Sequence, residues 1–132
     1  MVTPKEFDRL LATYPPDIQN LAGAAHDLIV ATLPKIEVTV DKSANVVGFG
    51  FGSGYKGMIC TIILSRKAVK IGIVRGAELE DPNALLQGSG KVHRYVELKA
   101  LSDLKKPGVR PLLKSALASW KQRSKAASKS KK

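Results

Sequence analysis

The hydrophobic period of this chain changes abruptly at Pro34, and that change limits the folds open to it. Before it, Ile18, Leu21, Ala22, Ala25, Leu28, Ile29 and Leu33 recur at helical spacing. After it, Ile36, Val38 and Val40 alternate with Glu37, Thr39 and Asp41, the period of a half-buried strand. Short apolar runs at Val46 to Phe51, Met58 to Leu64, Ala68 to Val74 and Val92 to Leu98 continue the strand pattern. Val109, Leu112, Leu113, Ala116, Leu117 and Trp120 then return to helical spacing. An earlier helix is expected from a Thr3 cap with Pro4 and Glu6 to about Ala12, stopped by Pro15 and Pro16. The expected order is ααβββββα. Consecutive short strands without intervening helices imply an antiparallel sheet of about five strands, covered by helices in a two-layer α+β domain.

A chain of 132 residues buries roughly two-thirds of its unfolded surface in one core, so a single domain over residues 1–120 is expected. Its one cysteine, Cys60, excludes an internal disulfide framework, and no charged start followed by an apolar run marks a signal peptide. Apolar stretches fall far short of the ~20 residues that span a bilayer. No membrane association and a cytoplasmic location are expected.

The net charge of +11 is unevenly spread. Residues 1–98 carry 11 basic groups against 10 acidic ones, whereas residues 99–132 carry 11 against Asp103 alone. From Lys121 the chain reads KQRSKAASKSKK, without an acid or a large apolar group, and a disordered tail over 121–132 is expected. Its Lys121, Arg123, Lys125, Lys129, Lys131 and Lys132 are candidate nucleic-acid contacts through charge alone.

Two glycine runs invite a nucleotide reading, and both fail on mechanism. In "LLQGSGKVHR" the glycines follow Asp81-Pro82, expected as a cap and first helical position, with Gly88 as a left-handed terminating glycine. A phosphate loop needs the opposite order, glycines before a helix N-terminus, and a Ser or Thr after the lysine where Val92 stands. In "VVGFGFGSGYKG", Gly48-Phe49-Gly50-Phe51 overlaps an RNA-recognition signature, but Val47 and Gly54 stand where a basic and an aromatic residue belong. The aromatic content of 5% is low for recognition of bases by stacking.

The segment from Gly76 to Leu98, "GAELEDPNALLQGSGKVHRYVEL", resembles the signature of the YdhG-like family. Gly76, Ala77, Leu79, Asp81, Pro82, Leu85, Leu86, Gly88, Gly90, Lys91, Arg94 and Val96 carry the likeness. It extends through Pro34, Glu37 and the "GYKG" at residues 54–57 to most of residues 15–118. The resemblance implies an α+β domain, brings no accepted catalytic set, and includes relatives called frataxin-like iron chaperones. Iron handling asks for clustered carboxylates, and here only Glu78, Glu80 and Asp81 cluster. His26, His93 and Cys60 lack metal-ligand spacing; His26 is expected at the edge of an apolar stripe, His93 on the solvent side of a strand, and Cys60 in the core.

No catalytic residue, cofactor or metal is expected. The reading is a non-catalytic module for a small anionic ligand or a protein partner, with an intracellular iron chaperone or nucleic-acid association through the tail as alternatives. Lys91 and Arg94, facing the Tyr55 loop, are the candidate anion site. Glu37 and Asp81 are the candidate carboxylate partners of Arg94, which shares a strand side with Val92, Val96 and Leu98.

Overall fold

The computed structural model describes residues 5–41, 43–51 and 57–130, with side chains as far as Lys125. Helix α1 (Lys5–Leu11) buries Phe7, Leu10 and Leu11, a spacing that lines three apolar side chains along one side. Its expected Thr3-Pro4 start lies outside the described residues. Helix α2 (Pro16–Thr32) opens with proline at a position where no amide donor is required. It buries Ile18, Leu21, Ala22, Ala25, His26 and Ile29. The Leu33 amide closes it by donating to the Ile29 carbonyl at 2.8 Å, and Pro34, with no amide to donate, prevents another turn.

Five strands follow, β1 (Glu37–Asp41), β2 (Val46–Gly50), β3 (Met58–Leu64), β4 (Val69–Ile73) and β5 (Arg94–Leu98). They pair in chain order, each antiparallel to the next. Short 3-10 turns stand at Gly76–Glu78 and Leu101–Lys105, and helix α3 (Val109–Ser130) ends the described chain. The fold is therefore the α+β arrangement that the two periods demand. Two turns are fixed by aspartates. Asp41 accepts from the Ser43 hydroxyl at 2.7 Å and from the Ser43 and Ala44 amides, and the hydroxyl bond is the first cause holding its carboxyl below the usual range. Asp103 accepts from the Lys99 and Ala100 amides at 2.8 and 3.1 Å, and the Lys99 amide lowers its pKa in the same way.

Strand register sorts the side chains into two faces. On the inner face Val47, Ile62, Ile71 and Val96 stand opposite one another across four strands, and none is more than 5% exposed. Buried residues from all three helices join this face in one core. His26 lies deeper than expected: it is 2% exposed, its ring 5.4 Å from Phe7 and 5.9 Å from Phe49. Helical spacing identified the stripe but not its width. The Asp27 carboxylate meets its Nδ1 at 3.0 Å, which satisfies one polar atom of the buried ring.

From sequence, the ordered chain ends near Trp120; instead α3 continues through Lys121 to Ser130. KQRSKAASKS contains neither glycine nor proline and is rich in Ala, Lys, Arg and Gln, so intrinsic propensity carries the helix beyond its last core residue. The Arg123 guanidinium also donates to the Ser119 hydroxyl one turn back, at 2.7 Å. Lys131 and Lys132 lie outside the described residues. Among those described, no helix is long and apolar enough to cross a membrane.

The register makes a sharp distinction between two neighbouring residues. Ile62 is fully buried on the inner face, whereas Ile63 is 37% exposed on the outer one. Ile62→Ala should lower unfolding free energy by about 2–5 kcal/mol, from lost burial plus a cavity. Ile63→Ala should stay within about 1 kcal/mol of the parent. Urea denaturation of the two variants checks this, and equal losses would mean that the register is wrong.

Candidate functional site

The connection between β4 and β5 is irregular, and its geometry follows from a few polar bonds. Arg75 adopts a left-handed conformation at φ 57°, pairs with Glu78 and donates its amide to His93 Nδ1 at 3.0 Å. His93 therefore acts as an acceptor at the loop's end, not as a free strand residue. The Asp81 carboxylate accepts from the Leu85 amide at 2.9 Å and the Leu86 amide at 2.8 Å. No helix follows Asp81, contrary to expectation, because Ala84 turns left-handed at φ 52° and ends the turn before an α-helical bond can propagate. Gln87 then pairs with Tyr95 through two backbone bonds of 2.7 and 3.1 Å.

This bridge places the Gly-Ser-Gly loop beside the sheet instead of at a helix end. Gly88 has φ 103°, and a Cβ there would come within 2.9 Å of the Tyr95 ring. Glycine is required on both grounds, conformation and close approach. The far side of the loop is fixed by Arg94, whose Nε donates to the Gly90 carbonyl at 2.6 Å. Lys70 Nζ stands 4.5 Å from the centroid of the Tyr95 ring.

Arg94 does pin the loop, but through a carbonyl and not through a carboxylate. Glu37 cannot reach it: Glu37 lies on β1 and Arg94 on β5, the two edges of the five-stranded sheet, roughly 19 Å apart at four strand spacings. Asp81 already engages two amides. The terminal nitrogens of the Arg94 guanidinium meet no acceptor among the described residues. Lys91 is exposed in the same loop. Tyr55 lies outside the described residues, so the Lys91, Arg94 and Tyr55 grouping is represented by its first two members.

What composition and spacing did not reveal is the surface beside Arg94. On the outer face the register row runs Thr39, Gly48, Thr61, Gly72, Tyr95, with Met58 and Ile63 flanking it. An outward-facing row would ordinarily be polar. Here the Met58 side chain covers Gly48, and beside Gly72 lies a hollow of about 250 Å³, walled almost wholly by hydrocarbon and lined by Met58, Thr61, Ile63, Gly72, Val74, His93, Arg94 and Tyr95 among others. A signal for it existed in β3, MICTIIL, which is apolar at every position but Thr61 and so could not present a polar face.

A larger groove, about 740 Å³, lies between α2 and the start of α3, where Asp27 faces Lys105, Lys106 and Arg110. Among the described residues, no group of three or more His, Cys, Asp or Glu side chains is placed to hold a metal ion. Cys60 is fully buried on the inner face, where desolvation pushes its thiol up to about 12.

Comparison of the chain with protein-family models, curated proteins and solved structures returns no match.

The buried thiol gives a direct check on the core. Because the thiolate is the reactive form, native protein at neutral pH should react with an aromatic disulfide reagent at least about 100-fold more slowly than unfolded protein. Rapid labelling of Cys60 under native conditions would show that the inner face opens far more readily than its packing implies.

Proposed function

We propose that this chain is a non-catalytic binding module for a small organic anion with an apolar body, seated on the outer face of the sheet with its charged end at Arg94. The carrying observation is the position of Arg94. Its Nε is held by the Gly90 carbonyl, its terminal nitrogens are unpaired among the described residues, and the residue stands at the strand end among those that line a hydrocarbon-walled hollow. A planar cation with a fixed stem is preorganised for a carboxylate or related acid. The hollow supplies what a charge alone lacks, apolar area that a ligand removes from water.

The larger groove is less suited to this chemistry, although it offers more volume. Its Lys106 is paired with Asp103 at 3.2 Å, and Asp27 lines the same space, so an incoming anion meets a carboxylate. An iron-handling role, which the YdhG-like resemblance also brings, would draw on Glu78, Glu80 and Asp81. Two of the three are engaged, Glu78 with Arg75 and Asp81 with two amides.

Octanoate and octanol separate the charged and apolar parts of the proposal. In an NMR titration the protein should bind octanoate about tenfold tighter than octanol, the worth of one charge-assisted hydrogen bond. Arg94→Met should remove that preference and leave octanol binding unchanged. Since only one hydrogen bond to an exposed carbonyl is lost, its stability should fall by no more than about 1.5 kcal/mol. Equal affinity for the two probes in the parent protein, or an undiminished preference in Arg94→Met, would overturn the assignment.

A further inference from the structure

We infer that helix α3 carries a binding surface for the phosphate backbone of duplex nucleic acid, a row of cations formed by Arg110, Lys114, Lys121 and Lys125. This surface does not depend on the outer-face hollow. The four residues are exposed and belong to one helix, Val109–Ser130. At ~3.6 residues per turn they fall within a wedge of about 60°, and at ~1.5 Å per residue they span about 22 Å along the axis. The described sequence of α3, VRPLLKSALASWKQRSKAASKS, contains no acidic residue. Lys105 extends the row past the start of the helix, where Asp27 is the acid that lines the adjoining groove.

The continuation of the helix past Trp120 creates this surface. In a coil, Lys121 and Lys125 would add charge without direction; in a helix they fall in line with Arg110 and Lys114. The inner side of α3 is occupied by Val109, Leu112, Leu113 and Ala116, all buried, so the helix presents its cations from a fixed platform.

Three features select duplex backbone as the occupant. B-form DNA offers one negative charge per ~1.7 Å of axis, a linear array that a linear row of cations complements. Recognition of single strands relies on aromatic platforms, and Trp120, the one aromatic residue of α3, is already packed in a tilted contact against Phe51 with centroids 5.1 Å apart. A membrane-surface helix needs an apolar face to insert, but the large apolar residues of α3 are turned into the protein core or packed against it.

Charge-conserving swaps distinguish an aligned row from net charge. Lys114→Ser with Ser115→Lys, combined with Lys121→Gln and Gln122→Lys, moves two cations about 100° around the helix while leaving the composition intact. All four positions are exposed. The probe is a fluorescent 20-base-pair duplex of arbitrary sequence, titrated by anisotropy at several salt concentrations.

For the parent, log Kobs against log [salt] should have a slope near −4, and for the swapped protein near −2, because each phosphate contact contributes ~0.9. Affinity of the swapped protein at low salt should fall at least tenfold. Substituting Lys35 and Lys67 by Gln, away from α3, should leave the slope unchanged. Arg110→Gln with Lys125→Gln is a second variant that tests the same row without relocating any charge, and it too should flatten the slope by about 2. Identical binding by parent and swapped protein would overturn the inference in favour of undirected charge. So would absence of duplex binding by the parent, or tighter binding to vesicles of phosphatidylserine and phosphatidylcholine in equal parts than to the duplex.

Discussion

Five strands that pair strictly in chain order, with α1 and α2 preceding them and α3 following, leave the helices one face of the sheet to cover. Helices before and after such a meander all join the core built on the Val47, Ile62, Ile71 and Val96 row. The opposite face is left to strand and loop residues. Most antiparallel sheets meet that condition with polar side chains. This one instead places Gly72 between Thr61 and Tyr95, with Met58 and Ile63 nearby, so the layering that builds the core also leaves an apolar hollow open. Arg94, at the margin of β5 and held by the Gly90 carbonyl, is among the residues that line it.

The two proposed surfaces follow from the same arrangement. The hollow occupies the face away from the helices, and the cation row occupies the solvent side of α3. Their chemistry differs as well. A ligand at the hollow gains by losing contact with water over an apolar floor, and salt has little effect on that term. A duplex on α3 gains by releasing counterions, and salt weakens it steeply. Ionic strength therefore separates the two activities in one preparation of the protein.

Much of the fold was legible because period and punctuation are local. Pro16 and Pro34 bracket α2, and the alternation from Ile36 marks the sheet, so element order required no knowledge of packing. The partners of Arg94 were a different matter. Sharing a strand side with Val96 and Leu98 implied a buried carboxylate partner, but the end of a strand differs from its middle: there a loop carbonyl supplies the acceptor. Register decides that Glu37 stands on the far edge, and register is a pairing between distant segments that one sequence does not state. Asp81 reads from sequence as a helix cap and a partner for Arg94, yet its carboxylate accepts from the Leu85 and Leu86 amides and builds a turn and not a helix, because Ala84 departs to positive φ. The extension of α3 was missed for a compositional reason: a basic stretch without apolar anchors reads as a tail, although its residue types favour a helix.

The central claim is that ligand binding belongs to the outer face of the sheet. Intermolecular nuclear Overhauser effects between octanoate chain protons and labelled methyl groups test it most directly. The account predicts contacts from the Met58 and Ile63 methyls, which line the hollow, and none from Leu28 or Leu104, which line the larger groove beside α2. Contacts from Leu28 and Leu104 with silence at Met58 and Ile63 would contradict it.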